Sequence, residues 1–503
     1  MTNFNLDIPL FSFAKDRNEG GVWTVRNAVE GVQIFGGIGS GKTSGSGRTL
    51  AIKYLKHGFG GLVLTVKKDE EEEWRKYFEA AGRSIDDLIV IEPNRGNFFN
   101  VLEYESKEGN ITENIVQVLK TVINASEEKS GSKSNDPFWD QALDMLLFNI
   151  IDLCRLAYGR LSFKNMYEIV QSLPTSKTIF PKNDESKQTA FMRAFLLAQK
   201  NAAEKTIIWL KQKEAESNPI VNDASYENTI CDNVPEARIM KEIDNFFVET
   251  YAELNEKTRS IIDFSCSGFL FRLLREPVYS LFCNNESNIT PDDCSEGKVI
   301  LVNLPVKVYH KIGRDCQIMF KYIWQRAMEK RDIDENPRPV FLFADEAQNF
   351  VHENDAECQA TARSSRIATV YISQNLPNYY ANMGGGKFEY KVKSFLGTLA
   401  TKIFHANADV ETNKYASDLI GDSEYENISR NIAIAGKPNI SSGRSLVIER
   451  AVRPEQFVSL KTGTNINNSI VEGYIHVQGN PIKNGKNFTI IPFNQNYVPK
   501  VNS

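Results

Sequence analysis

Eight consecutive residues, Gly36-Gly37-Ile38-Gly39-Ser40-Gly41-Lys42-Thr43, carry the most definite chemistry in the chain, filling every position of the pattern GxxxxGK[ST]. Glycine lets backbone N–H groups turn inward around a phosphate with no side chain in the way. A helix that starts at such a loop points its positive end at the same anion. In this pattern Lys42 reaches the β- and γ-phosphates, and the Thr43 hydroxyl is a ligand for Mg2+. The expected nucleotide-contacting residues are Gly36, Gly37, Gly39, Ser40, Gly41, Lys42, Thr43 and Ser44, with ATP and Mg2+ as ligands.

A second constellation lies far along the chain. Residues 338–346 (RPVFLFADE) read as an apolar strand that ends in two carboxylates, Asp345 and Glu346. An apolar run suits a central parallel strand covered on both faces, and its carboxyl end is where open α/β sheets bind ligands. Asp345 is expected in the Mg2+ shell, with Glu346 polarising the attacking water. A glutamate in that position argues against a GTPase switch, in which a glutamine often orients the water. Gln374 ends the strand at 367–373, where its amide can sense the γ-phosphate or the water, and an ordinary strand-end glutamine is the alternative. Arg363 precedes that strand and is the candidate for reaching a neighbouring subunit's nucleotide. Arg366 competes for that role, and a surface salt bridge is the plain reading of Arg363. Lys67 and Lys68 follow the second strand on the ligand side. The acidic run 69–73 reads as a solvated helix start, where negative charge suits the dipole.

These residues need a parallel sheet to hold them. The phosphate loop sits between a strand at 31–35 (GVQIF) and a helical pattern at 43–56. Further strands are expected at 62–66 and 88–92, with a charged helix at 71–81 between them. Alternation of this kind indicates a parallel sheet covered by helices. From 113 to 275 the pattern turns helical, with polar stretches at 126–135 (SEEKSGSKSN) and 214–233 expected as surface loops. Strand–helix alternation returns at 298–304, 340–344, 367–373 and 402–405. One α/β sheet interrupted by a helical insertion explains this order, with divisions at 1–112, 113–290 and 291–503. The role of the tail beyond about 445 is not readable.

Composition narrows the class. The chain has 503 residues, 41% hydrophobic and 24% charged, with a net charge of −5. This is a globular balance with no need of disulfides or a structural metal. The overall charge does not suit a protein that coats nucleic acid, although a channel lining can still be basic. Seven scattered cysteines form no CxxC cluster, which points to a reducing cytoplasm. No signal peptide is legible, and no apolar run of about 18 residues exists. The nearest, 142–158, is broken by Asp144, Asn149, Asp152 and Arg155 and reads as a buried helix. The five histidines form no metal pattern, and His352, six residues after Glu346, is the one expected nearest the nucleotide. Residues 269–275 (FLFRLLR) read chiefly as a helix burying Phe269, Leu270, Leu273 and Leu274, with a DNA-stacking surface as the second reading. Lys129 and Lys133 in the first polar loop are candidates for lining a channel.

With these motifs in place, the chain resembles the TraG/TraD family of conjugative coupling proteins, the DNA-pumping ATPases of type IV secretion. The likeness runs from about Trp23 to Tyr497. It rests on the order of secondary motifs: Lys68 after the second strand, Asp136-Pro137-Phe138-Trp139 opening a helix, and Leu301 to Leu304 with Pro305. Gln374, residues 397–404 (GTLATKIF) and the segment 409–421 complete it, and Arg363 falls where the family's arginine finger would lie. The resemblance implies a RecA-like α/β fold with an inserted all-α domain, a homo-hexamer with a central DNA channel, and a cap that contacts DNA or a relaxase. Typical members begin with transmembrane helices, whereas this chain starts almost at the ATPase core. Recruitment by a separate membrane or secretion partner is therefore expected. The alternative is a soluble ATPase similar to the HerA/FtsK group, acting beside an effector in DNA processing or phage defence. A nucleotide-switched binding protein with little turnover is a third reading, and Glu346, Gln374 and Arg363 weigh against it.

Overall fold

A computed structural model describes residues 4–13, 21–107, 111–130, 137–174, 188–216, 225–352, 354–383, 388–433, 439–479, 482 and 486–499. The chain divides into two compact units. The first comprises Met1–Val90, Pro291–Val308 and Ile323–Ser503. In it β1 (Pro9–Ser12) and β2 (Val22–Thr24) form a small antiparallel pair. The main sheet begins with β3 (Val32–Phe35), β4 (Gly60–Leu64) and β5 (Leu88–Ile91). It resumes with β6 (Val299–Val302), β7 (Val340–Ala344), β8 (Ile367–Ser373) and β9 (Thr401–His405).

Strands β3, β4, β6, β7, β8 and β9 are buried at every position. Continuous burial explains their unbroken apolar character, because helices cover both faces of a parallel sheet. On one face Trp74, from the Glu70–Ala81 helix, stacks on Phe341 at 5.6 Å and meets Phe343 edge-on at 5.2 Å. In another layer Tyr371 and Tyr379 pack around Phe395, and the Tyr379 hydroxyl donates to Gln33 Oε1 at 2.9 Å.

The tail beyond 421 supplies two hairpins. β10 (Asp422–Ala433) and β11 (Asn439–Arg450) form a separate two-stranded ribbon. β12 (Ile470–Val477) and β13 (Phe488–Asn494) extend the main sheet antiparallel from β9. The order across the sheet is β13-β12-β9-β3-β8-β7-β4-β6-β5. Pairing from β9 through β3, β8, β7 and β4 to β6 is parallel. The loop after β3 and the acids after β7 thus flank a single strand, β8. At about 4.8 Å per strand they open within roughly 10 Å of each other.

The second unit, Ile91–Thr290 with Tyr309–Tyr322, is helical. Its first junction falls earlier than residue 113. Residues 98–100 are tied to the end of the insertion: the Phe99 amide donates to Leu281 O at 2.9 Å, Phe98 to Asn288 and Asn100 to Ser287. The helix Pro137–Tyr158 accommodates its polar interruptions through partners. Asp152 accepts from Thr112 at 2.6 Å, and Asp144 pairs with Lys120 at 2.5 Å. No helix among the described residues is long and apolar enough to cross a membrane. The described cysteines are all free thiols.

In both polar stretches expected as loops, the described residues are mostly helical. The first helix runs through Ser130, so part of 126–135 continues it, while 131–136, with Lys133 and Asp136, lies outside the described residues. In the second, Tyr226–Asn233 is a helix with no buried residue and so no apolar stripe to reveal it. Residues 217–224 lie outside the described set.

Two glycines let β4 pack closely. A Cβ on Gly60 would fall 1.8 Å from the Cys294 carbonyl oxygen, and one on Gly61 would fall 2.6 Å from the Phe341 ring. Gly60→Ala is expected to destabilise the fold by about 1–3 kcal/mol, because backbone must shift to admit the methyl. Urea unfolding of the variant against the wild type measures this.

Candidate active site

The phosphate loop leaves β3 and is held between two strand ends. The Gly36 amide donates to Ser373 O at 3.3 Å and the Gly37 amide to Ala406 O at 2.8 Å. Gly39 and Gly41 adopt left-handed φ of 73° and 78°, a conformation that glycine enters without strain. A Cβ on Gly36 would meet Ser40 Oγ at 2.4 Å, and one on Gly41 would strike Val471. Ser40 Oγ is buried with no hydrogen-bond partner among the described residues, and Ser44 Oγ accepts from Gln495 Nε2 at 2.6 Å. The first turn, Lys42–Gly47, is π-helical and runs into the Arg48–Lys56 helix, as the helical spacing after the loop required.

The loop meets the acidic strand end across 302 residues of sequence: Thr43 Oγ1 donates to Asp345 Oδ2 at 2.9 Å. Lys42 Nζ stands 3.8 Å from Glu346 Oε1, both side chains only 11% exposed. Lys67 Nζ lies 3.9 Å from Asp345 Oδ2, so Lys67 rather than the exposed Lys68 enters the cleft. Burial pushes the Asp345 carboxyl above its ordinary pKa, and Lys67 and Lys42 pull it back.

Glu346 is fixed by its neighbours. Gln374 Nε2 donates to its Oε1 at 3.2 Å and Gln348 Nε2 to its Oε2 at 2.8 Å, while Ser373 Oγ orients Gln348 at 2.9 Å. Its backbone sits at φ 50°, ψ 47°, unusual for a residue with a Cβ. The Asn349 side chain holds the Glu346 carbonyl at 2.9 Å. Such strain costs of order 1–3 kcal/mol and persists where surroundings over-determine it.

Around Thr43 and Asp345 opens a cleft of about 320 Å³, floored by Leu64, Trp74, Tyr77 and Phe343. Glu70 lines it and corrects the reading of 69–73 as a solvated helix start. Its carboxylate accepts from the Val66 and Lys67 amides, each at 3.1 Å. Burial, then nearby Asp345, raises its pKa to about 8. Glu71 is also buried, bonded to Arg75 and Asn303. Glu70 thus bends back to cap the preceding turn, while Asp69 and Glu72 face water as read.

The remaining candidates separate. Arg366 donates to Pro337 O at 2.6 Å and so is engaged within its own chain. Arg363 is 61% exposed, with Glu30 at 3.5 Å. The seven residues of β8 span about 23 Å, which places Arg363 at the opposite end of the sheet from its own loop. His352 packs against Asp355, and another histidine sits by the loop. His405 Nδ1 donates to Glu472 O at 2.8 Å, leaving Nε2 to accept from Ser46 Oγ at 2.7 Å. Gln348, His405 and Gln495 escaped sequence reading. Only Gln348, two residues after Glu346, carried a local signal.

Thr43 and Asp345 offer hard oxygen donors on the phosphate side, a set that suits Mg2+ completed by phosphate and water oxygens. Among the described residues no cluster of three His, Cys, Asp or Glu side chains forms a metal site by itself. The arrangement can bind a nucleoside polyphosphate through backbone N–H groups and Lys42. Glu346 can accept a proton from a water at the γ-phosphate. Fold and site together define an α/β, RecA-like P-loop nucleotide-binding protein.

Residues 339–461 match the family described as the TraM recognition site of TraD and TraG. The bacterial conjugative coupling protein TrwBdeltaN70, unbound, superposes with a TM-score of 0.61 at 13% identity, covering 97% of this chain and 91% of that one. TrwB with the ATP analogue ADPNP gives 0.58 at 14%, covering 97% and 90%. TrwB with ADP and Mg2+ gives 0.55 at 13%, covering 95% and 88%. No curated protein sequence matches. Residues 339–461 are thus similar to a segment of TraD and TraG, and the chain as a whole has a fold like that of the TrwB structures.

The imidazole of His405 is buried, which lowers its pKa to about 4 from 6.5. The unfolded chain therefore binds a proton that the native state refuses. The resulting stability is complete above pH 6.5 and is lost as pH falls from 6.5 toward 4. His405→Gln is expected to flatten this slope in part, since His476 is lowered to about 4 as well. Denaturant melts across that pH range measure it.

Proposed function

We propose that the protein is a DNA-transfer coupling ATPase, hydrolysing ATP to move DNA or a nucleoprotein as a homo-hexamer. The observation that carries this is the meeting of Lys42 and Thr43 with Asp345 and Glu346, while Gln374 reaches the Glu346 carboxylate from the strand between. The TraG/TraD match over 339–461 favours transfer over a soluble defence motor of the HerA/FtsK kind. TrwB has been obtained with ADPNP, with GDPNP, and with ADP and Mg2+, which supports ATP and Mg2+ as ligands here.

In this reading Gly36 to Ser44 cradle the phosphates and Lys42 neutralises charge on the transferring group. Mg2+, held through Thr43 and Asp345, would offset charge on the β- and γ-oxygens. Glu346 takes a proton from the attacking water, and Gln374 and Gln348 aim its two oxygens. Arg363, too far from its own loop, serves the neighbouring subunit's nucleotide and makes hydrolysis depend on assembly. The first compact unit forms the motor, and the helical unit that begins at Ile91 supplies the surface for DNA or a relaxase. The family's description as a TraM recognition site supports docking of a partner protein by the 339–461 segment, which is a route to a secretion channel at the cytoplasmic face of the membrane.

Hydrolysis by the purified chain is expected to rise on adding DNA, with the mass of a hexamer in the presence of ATP. Arg363→Ala should abolish turnover but leave nucleotide binding intact. Steady-state kinetics with single- and double-stranded DNA, alongside light scattering, provide the check. A monomer whose hydrolysis ignores DNA would contradict the motor reading.

A further inference from the structure

The segment FLFRLLR at 269–275 is only half absorbed by the helical core. In the Glu256–Leu273 helix, Phe269, Leu270 and Leu273 are buried. Phe271 is 41% exposed, Ile261 42% and Phe264 78%. At 100° per residue, Lys257, Ile261, Phe264, Gly268 and Phe271 project onto a single stripe about 80° wide. Arg275 follows just past the helix end and lays its guanidinium 4.0 Å from the centroid of the Phe271 ring, whose centroid is also 6.0 Å from that of Tyr167.

Three features of this stripe select its occupant. The charged residues at its two ends, Lys257 and Arg275, are both cations. Between the exposed rings the floor is open, since a Cβ on Gly268 would meet no atom within 4 Å. Phe264 and Phe271 are seven residues apart, about 10.5 Å along the axis. Three stacking steps of about 3.4 Å need nearly that length, so two bases fit between the rings. An apolar protein surface would cover the phenyl rings but leave both cations without counter-charge. A nucleic-acid strand supplies flat apolar faces and phosphates together.

We propose that this stripe binds single-stranded nucleic acid, two bases stacking between Phe264 and Phe271 over Gly268, with flanking phosphates at Lys257 and Arg275. This rests on the reading of the chain as a DNA-transfer ATPase and locates a strand-binding surface on its helical unit. Duplex DNA binds the stripe poorly, because its bases are already stacked on one another.

The test uses the full chain, a fluorescein-labelled oligothymidylate of about twenty nucleotides, and a duplex of the same length. Phe264→Ala/Phe271→Ala should weaken single-strand binding by roughly thirtyfold or more, at about 1 kcal/mol or more per base. Hydrolysis without DNA should be unchanged. Gly268→Leu, which fills the floor without truncating either ring, should weaken the same binding. Unchanged single-strand affinity in both variants overturns the proposal. So does an equal loss for duplex and single strand, which would indicate phosphate attraction alone. A loss of oligomeric mass with DNA affinity retained would assign the stripe to a second copy of the chain and also overturn it. If the wild type binds neither DNA, the transfer reading itself fails, a result distinct from failure of the stripe.

Discussion

The contact on which the rest depends is the one between the first turn after the phosphate loop and the end of β7, where Thr43 meets Asp345 and Lys42 faces Glu346. It brings two cationic or hydroxyl donors together with two carboxylates, and Lys42, Asp345 and Glu346 are almost wholly buried. Charges in such surroundings are costly unless each has partners, and a lone buried ion pair contributes little net stability. The surroundings supply those partners: Lys67 beside Asp345, and Gln348 and Gln374 on Glu346. What they secure is geometry more than stability.

Sheet order follows from the same demand. With β8 between β3 and β7, the loop and the acids face each other across one strand, and the residue ending that strand falls onto the Glu346 carboxylate. Had β3 and β7 been neighbours, Gln374 would have no place between them. The antiparallel β12 and β13 hold the loop from the other side. Val471 packs under Gly41 and Gly45, and the neutral imidazole of His405 ties β9 to Ser46. Left-handed Glu346 is the strained point in this frame, pinned by Asn349 and by its own neighbour Asp345.

Much of this was legible in the sequence, for reasons that are themselves physical. Phosphate binding needs glycines at fixed spacing, and a doubly covered parallel strand needs an unbroken apolar run, so the loop, VFLFA and IATVYIS stand out. Buried acids do not: Glu70 and Glu71 look like any solvated helix start until their partners, backbone amides at 66–67 and Arg75, are in place. The Tyr226–Asn233 helix lacks an apolar stripe and so reads as loop. The hairpin β12–β13 alternates buried and half-exposed residues around Gly473, which hides it from a search for continuous runs. Contacts such as Gln495 to Ser44 join residues 451 apart and leave no local trace.

The account stands on Glu346 being the group that activates water while the loop alone binds the nucleotide. The most direct measurement is a pair of curves for Glu346→Gln: ATP affinity by titration calorimetry with Mg2+, and hydrolysis by phosphate release. Retained affinity with turnover reduced by roughly a hundredfold or more is the predicted result. Hydrolysis at the wild-type rate would contradict it and would mean that the carboxylate held by Gln374 and Gln348 is not the base.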